Sequence, residues 1–596
     1  MTHSIGTKCS LWGLLAASLA LGAGLPDAAA AKPAAAHAAR PAPAATAAAE
    51  PWWKHAVIYE IYPRSFQDSN GDGVGDLKGV TQRLDYLKKL GVDAIWLTPF
   101  FPSPNKDFGY DVADYTNVSP EYGTMQDWDV LAREARKRGI RILVDFVLNH
   151  SSDQHPWFRE SRSSRDNPKR DWYVWRDPAA DGGPPTNWES IFGGSTWQFD
   201  KATGQYYYHV FYAEQPDLNW NNPDLRKAMH DVMRFWLDHG ASGFRLDATP
   251  YLFEDPSWPQ DPDVKSGPPA GLKPYNSNLP ANHEALRGLR AVVNSYPGDR
   301  MLLGENAISS IADLRKVYGA KADEINLPMD FLYTGVKGLD AQAFKARIDE
   351  AHLQLDGLPP VFHFSNHDTS RQWTRFGDGA NDGLIARMTA AMSLTLRGTA
   401  LMYYGEEIGM ADLKPDELAK FPLGPRRKVA DHRDPERSPM QWTAAPGAGF
   451  SSGAPWLPVG RSAKSTNVAR QVADPQSMYH WYARLLQLRK TDPAIRAGAY
   501  VPLESGNAKV VAYARRAASG EGVLVLLNMS GERQTLNISG WPGGSPKPGG
   551  VIMASAITPS AITPSATAPS ATARADDLVH PVLEPFATVL VRFHAR

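Results

Sequence analysis

Short apolar runs recur along the chain from residue 56 onward, each bounded by polar or glycine positions: 56–62, 94–99, 141–147, 243–248, 301–305, 325–331, 361–368 and 399–405. Between them lie longer stretches in which apolar residues return every three or four positions, such as 80–90, 128–138, 223–239 and 382–396. The first kind reads as a buried strand and the second as an amphipathic helix. Strand and helix in alternation imply parallel strands, because a crossover helix is what returns the chain to start the next strand alongside. Eight such runs predict an α/β fold of the (β/α)8 TIM-barrel type, not an open sheet.

The pattern breaks in four places. The segment 153–221, rich in Trp, Tyr, Gly and Pro, separates the third strand from its helix and is too long to be a loop without structure of its own. It is expected to be an excursion domain over the mouth of a barrel formed by 50–152 and 222–495. After residue 495 strand-like pieces at 510–514, 522–528 and 588–593 predict a C-terminal antiparallel β-domain over 496–596. Within it, 554–574 is a near-repeat of Ser, Ala, Thr and Pro that cannot build a core and reads as a low-complexity loop. At the other end Lys8, an apolar run from 11 to 25 and Ala28-Ala29-Ala30 have the form of a signal peptide over 1–31, followed by an Ala/Pro-rich linker, 32–49. The expected location is therefore periplasmic or secreted.

Composition narrows the chemistry. Hydrophobic residues make up 43% and charged residues 21%, with a formal net charge of -1, so nothing in the charge attracts nucleic acid or an acidic membrane. The run 11–25 is too short and too rich in Ala and Gly for a membrane span, and none is expected in the mature chain. Cys9 is the only cysteine and lies in the leader, which excludes disulfides, thiol catalysis and cysteine-bound metal from the mature protein.

Polar residues gather where the strands end, and that end of a (β/α)8 barrel is where active sites sit. Arg245 and Asp247 are two apart and share one strand face. A lone pair of this kind is most simply a structural fastening, but Asp247, Glu305 and Asp368 end three different strands and would point into one space. Two carboxyls flanking a glycosidic bond are the machinery of glycoside hydrolysis, one ionised and one protonated. Arg245 favours an ionised Asp247 as nucleophile, and the apolar run before Glu305 suits it as the acid. His150 and His367 could donate hydrogen bonds to sugar hydroxyls, although each taken singly reads as a structural histidine. In 68–76, oxygen side chains alternate with glycines as in the first part of an EF-hand loop, which predicts a structural Ca²⁺, with Mg²⁺ a poorer fit because it keeps its waters.

Four segments in order resemble the signature strands of the α-amylase family of glycoside hydrolases: Asp145-Phe146-Val147-Leu148-Asn149-His150, Gly243-Phe244-Arg245-Leu246-Asp247-Ala248, Leu303-Gly304-Glu305 and Phe364-Ser365-Asn366-His367-Asp368. The resemblance spans 51–596. Gln215-Pro216-Asp217-Leu218-Asn219 and Glu436-Arg437-Ser438-Pro439-Met440-Gln441-Trp442 are similar to segments of its oligo-1,6-glucosidase and α-glucosidase branch. The resemblance implies Asp247 as nucleophile, Glu305 as acid/base and Asp368 as the carboxylate that binds and distorts the sugar. It implies Asp107 and Tyr110 as the grip on a non-reducing glucose, with His150, Arg245, His367 and Arg437 completing the pocket. For Ca²⁺ it implies side-chain ligands Asp68, Asn70, Asp72 and Asp76 with the Val74 carbonyl.

One position departs from that branch. Ala248 stands where its 1,6-specific members typically carry Val and its 1,4-specific members Thr. Residues 243–252 and Asn278-Leu279-Pro280 with His283 look like trehalose synthase, whereas 187–194, the segment at Arg437 and the secretory leader favour a glucosidase. The expected activity is an exo-acting, retaining α-glucosidase acting on a small oligosaccharide or α-glucoside, with transglucosylation possible. The alternatives are a glucosyl transferase or isomerase, trehalose synthase included, and a non-catalytic relative serving as a binding or transporter-associated module. Such relatives usually lose a catalytic carboxylate, and all three are present here.

Overall fold

The computed structural model describes residues 50–262, 272–421, 431–555 and 578–595. The signal peptide, the linker and the repeat within 556–577 lie outside the described residues. Residues Pro51–Arg596 form one compact unit.

In chain order the strands are β1 (Val57–Ile61), β2 (Ala94–Leu97), β3 (Arg141–Val147), β4 (Trp175–Arg176), β5 (Trp197–Asp200), β6 (Gln205–Tyr208), β7 (Gly243–Asp247), β8 (Met301–Gly304), β9 (Leu327–Pro328), β10 (Val361–Phe362) and β11 (Thr399–Tyr403). Eight of them form one parallel sheet in the order β10-β11-β1-β2-β3-β7-β8-β9, the near-closed barrel predicted from the alternation. Helices lie between the strands and are locally specified. Met125–Lys137 begins with a capping box of Thr124 and Asp127, and Pro223–Asp238 with Asn222 as N-cap and Pro at its first position; both devices satisfy amides that a helix start leaves free.

Two strand expectations need correction. The run 325–331 is paired only over Leu327–Pro328 and 361–368 only over Val361–Phe362, and β9 and β10 do not pair. Pro328 has no N–H to donate, and past it β9 keeps one bond to β8, from the Met329 amide to the Gly304 carbonyl. The helix expected over 80–90 is broken at Arg83 into Leu77–Gln82 and Leu84–Leu90.

The barrel interior has two levels. Ile58, Ala94, Leu143, Met301, Leu303, Leu327 and Val361 pack into one apolar cluster. Toward the C-terminal ends of the strands the buried side chains become charged: Glu60, Asp145, Arg245 and His367 are each at most 1% exposed. Register places them. Asp145 on β3 is opposite Arg245 on β7, and Val147 is opposite Asp247; Leu246 is opposite Gly304 on β8, so Glu305 follows directly beside Asp247. Gly243 makes this seating possible, since a Cβ there would stand 2.2 Å from the Met301 carbonyl oxygen.

The excursion carries its own three-stranded antiparallel sheet, β4-β6-β5, packed around Trp175, Tyr207 and Phe158. Its exit is tied back to the segment after β3 by a bridge between His150 and Asp217, and to its own entry by one between Tyr173 and Leu218. The C-terminal part is β12 (Ala499–Pro502), β13 (Val510–Arg516), β14 (Gly522–Asn528), β15 (Gln534–Thr535), β16 (Lys547–Ala554), β17 (Val582–Leu583) and β18 (Thr588–His594). It forms an antiparallel sheet β12-β13-β14-β18-β16 and a separate pair β15-β17. Arg515 of β13 is buried and donates to the carbonyls of Thr395 and Gly498, joining this sheet to the end of the helix Asp382–Thr395. No helix among the described residues is long and apolar enough to cross a membrane.

Candidate active site

A cavity of about 380 Å³ opens at the C-terminal ends of the barrel strands, lined by Asp107, Tyr110, His150, Asp247, Ala248, Glu305, Asp368 and Arg433 together with an apolar wall. Seven of these eight are residues singled out from the sequence.

One guanidinium organises its floor. Arg245, fully buried, pairs with Asp247 Oδ1 at 2.6 Å through Nη1 and with Glu305 Oε2 at 2.8 Å through Nη2, and its Nη1 also reaches Asp145 Oδ1 at 3.0 Å. Asp145 is held in turn by Trp96 Nε1 and the Tyr110 hydroxyl, each at 3.0 Å. Glu305 Oε2 further accepts the Ala248 amide at 3.1 Å. Three carboxyls around one cation leave excess negative charge. Burial pushes the Asp247 carboxyl well up, and Glu305 and Asp145 add to this while Arg245 opposes it. Arg245 favours the ionised form of Asp247, as expected from the sequence, but its charge is divided among three carboxyls in a site where desolvation is severe.

Asp368 is the contrasting case. Its Oδ1 meets Arg437 Nη2 at 2.6 Å and Arg433 Nη1 at 3.0 Å, and its Oδ2 meets His367 Nε2 at 3.1 Å. Burial alone would raise it, yet these three groups outweigh burial and hold it well below the usual carboxylate range. His367 sits between Asp368 and Glu60, the latter 2.7 Å from Nδ1. Burial would depress this imidazole, but the two carboxylates push it up to about 9. It therefore stays charged near neutral pH. His150 differs: burial takes it down to about 3, so it is a neutral ring, with Nε2 3.2 Å from the Tyr110 carbonyl and 3.1 Å from Gln215 Nε2.

Asp107 and Tyr110 are presented by a loop organised on Asp111, whose carboxylate accepts from Ser103 Oγ and from the Lys106 and Asp107 amides. Tyr110 lies flat against His367, ring centroids 5.2 Å apart and planes 7° apart. Asp107 accepts from Gln215 Nε2 at 3.1 Å and pairs with Arg433.

The placement differs from expectation for three residues. Arg245, His367 and Arg437 stand one layer behind the cavity wall and position the carboxylates in front of them. Arg433, which bridges Asp107 and Asp368 from within the wall, was missed, as were the supporting Asp145, Glu60 and Gln215. The hint for Arg433 was the dense alternation of charge in Asp431-His432-Arg433-Asp434-Pro435-Glu436-Arg437. Of the trehalose synthase-like residues, Asn278 has a left-handed backbone with φ of 53° and His283 pairs with Glu324 at 2.7 Å; neither lines the cavity.

The loop 68–76 lies apart from this cavity's lining. Asp68 accepts the Asn70, Gly71 and Gly73 amides, Asn70 Oδ1 the Asp72 amide and Asp72 Oδ1 the Val74 amide. Asp76 accepts from Ser69 and caps Leu77–Gln82 through the Gly79 amide. Among the described residues no three His, Cys, Asp or Glu side chains converge tightly enough to hold a metal by themselves. Hard oxygen donors supplemented by the Asn70 amide and Val74 carbonyl do fit the coordination chemistry of Ca²⁺.

Residues 60–498 match the family described as "Alpha amylase, catalytic domain". A protein of Rhizobium meliloti (strain 1021) described as "Probable alpha-glucosidase" is 42% identical over 509 residues, covering 81% of this chain and 90% of that protein. The oligo-1,6-glucosidase of Parageobacillus thermoglucosidasius is 39% identical over 513 residues, covering 80% and 90%. Among solved structures, one described as an alpha-glucosyl transfer enzyme superposes with a TM-score of 0.79 at 36% identity, covering 91% of this chain and all of that one. Barrel, motif order and similarity over most of the chain lead to one assignment: the protein belongs to the α-amylase family of glycoside hydrolases.

Proposed function

We propose that the protein is an exo-acting, retaining α-glucosidase that releases glucose from the non-reducing ends of short α-glucosides through an aspartyl glucosyl-enzyme. The observation that carries this reading is the pair Asp247 and Glu305, on neighbouring strand ends and held by the two terminal nitrogens of one guanidinium. Retaining enzymes need their two carboxyls only ~5–5.5 Å apart, with no room for an intervening water, and adjacent strands ~4.8 Å apart supply such a spacing. Asp247 attacks the anomeric carbon while Glu305 protonates the departing oxygen; the proton then returns to Glu305 from an incoming water. Asp368, kept ionised by His367, Arg433 and Arg437, accepts hydrogen bonds from the sugar's 2- and 3-hydroxyls. Asp107, His150 and Arg433 hold the far edge of the ring, and Tyr110 offers it a flat face. The charged end of the cavity suits a single terminal glucose.

A second reading, transfer of the glucosyl group to another sugar, is favoured by the small Ala248 beside the reacting pair and by likeness to a protein described as a transfer enzyme. Structural Ca²⁺ at Asp68, Asn70, Asp72, Val74 and Asp76 and a periplasmic or secreted location belong to the same proposal. They are supported by the loop's oxygen donors and by the leader's composition.

The reading is tested by following product configuration from maltose, isomaltose and trehalose by NMR within the first turnovers. Glucose released as the α-anomer is expected, with oligosaccharides appearing at high substrate concentration. Initial β-anomer would overturn the retaining mechanism, and trehalose as the main product from maltose would replace hydrolysis by isomerisation.

A further inference from the structure

Asp368 stands at the tip of a tight turn. Its amide donates to Asn366 Oδ1 at 2.9 Å, and Asn366 faces Thr369 across a bridge, which leaves His367 and Asp368 together at the apex. Neither residue belongs to a paired strand, since β10 ends at Phe362. Arg433 and Arg437 meet the Asp368 carboxylate, but its backbone is placed by whatever holds the two shoulders of the turn.

Both shoulders are fastened to one segment, the one that follows β11. On the incoming side the Ser365 hydroxyl donates to Glu406 Oε1. On the outgoing side Asp412 takes two bonds: the Arg371 amide donates to its Oδ1 at 3.0 Å and the Ser370 hydroxyl to its Oδ2. The Arg371 guanidinium donates to the Tyr404 carbonyl, and the Asp412 amide donates to Thr374 Oγ1 at 2.8 Å, within the short helix Gln372–Phe376. Gly409 lets the segment come this close, since a Cβ there would stand 2.4 Å from the Trp373 ring of that helix. Glu406 is shut into the interior, whereas Asp412 is only partly buried and lies outside the lining of the active-site cavity. A carboxylate that accepts from two consecutive residues with separate oxygens fixes their direction as well as their position.

Resting on the role given above to Asp368, we propose that Asp412 is a positioning residue for the reaction: through Ser370 and Arg371 it sets where Asp368 meets the 2-hydroxyl of the glucosyl ring. Hydrogen bonds to that hydroxyl strengthen as the oxocarbenium-like transition state forms, so a small displacement of Asp368 costs rate more than binding. A contribution to stability alone carries no such preference for one hydroxyl of the substrate.

The test compares an aryl α-glucoside with its 2-deoxy analogue, which lacks the hydroxyl through which the effect passes. Asp412→Ala is expected to lower kcat/KM for the glucoside about tenfold, mostly in kcat, and that for the 2-deoxy substrate less than about threefold. Asp412→Asn keeps an acceptor for the Arg371 amide and a polar partner for Ser370, and is expected to bring the glucoside rate back to within about threefold of native. Equal losses on the two substrates, or no loss on the glucoside, overturn the inference and leave the hydrolase reading intact. A native enzyme with the same kcat/KM on both substrates overturns the role of Asp368 and this inference with it. Should Asp412→Ala not fold, Ser370→Ala removes one of the two bonds and is expected to lower the glucoside rate at least about threefold with a smaller loss on the 2-deoxy substrate; a uniform loss there counts against the proposal.

Discussion

At the scale of single residues, the site turns on how one cation is shared. Arg245 faces Asp145, Asp247 and Glu305 at once, and burial, with Glu305 and Asp145 nearby and only a shared cation to oppose it, raises the affinity of Asp247 for a proton. Because the nucleophile must be ionised, activity is lost as pH falls through its raised pKa. The acid limb of kcat/KM is therefore expected above the pH at which an ordinary aspartate would titrate, and an acid limb at or below pH 4, close to the free-aspartate value, would contradict this. Asp247→Asn is expected to lower kcat at least about ten-thousand-fold, as loss of a covalent nucleophile does elsewhere, with the fold retained by circular dichroism. Ala248 adds a backbone constraint that the sequence did not disclose: it is left-handed, with φ of 47°. Ala248→Val or Ala248→Thr puts a branched side chain where such residues are strained, so each is expected to lose about 1–2 kcal/mol of stability as linkage preference narrows toward 1,6 or 1,4. Denaturant unfolding and a maltose-to-isomaltose activity ratio check both effects. The three carboxylates were legible because each closes an apolar run; for Asp247 and Glu305 that run is a paired strand, whereas Asp368 lies six residues past the end of β10. Arg433 was not, since it lies in a loop with no periodicity to place it, and neither was the inward turn of Arg437 behind Asp368.

At the scale of elements, alternation was a good guide wherever a strand pairs on both sides. It overstated β9 and β10, because apolar residues can be buried over a barrel's length without joining its ladder, and a proline such as Pro328 brings no N–H to a ladder, which hydrophobicity does not register. The excursion's existence was legible from its length, while its sheet was obscured by aromatic residues that break the usual alternation. The loop 68–76 illustrates a motif whose chemistry and fold role coincide: Asp76 serves both the turn and the start of the helix Leu77–Gln82. With Ca²⁺ in this loop as proposed, a chelator is expected to lower the unfolding temperature by at least ~3 °C while changing low-temperature kcat little. An unchanged midpoint, together with metal analysis finding no calcium in the purified protein, would dismiss the cation.

For the molecule as a whole, the buried ion system at the barrel mouth makes stability depend on pH in both directions. His367 has a folded pKa of about 9 against ~6.5 when unfolded. Its contribution is therefore complete below pH 6.5 and declines until it is gone above 9. Asp368, depressed on folding, contributes fully above the unfolded aspartate value and is lost as pH falls below it. The unfolding midpoint is expected to drop between pH 6.5 and 9, and His367→Gln to flatten that slope; a native profile level across this range would be inconsistent with a charged His367.

The closure of the sheet also has a temporal meaning. β1 finds its second neighbour in β11, with Val57 beside Ala400 and Glu60 beside Tyr403. During synthesis at ~5–20 residues per second, some tens of seconds separate the emergence of the two. For that interval one side of β1 is an uncovered strand edge, apolar and open to any passing chain. A nascent chain of this topology is exposed to mispairing along that edge until its last barrel strand arrives.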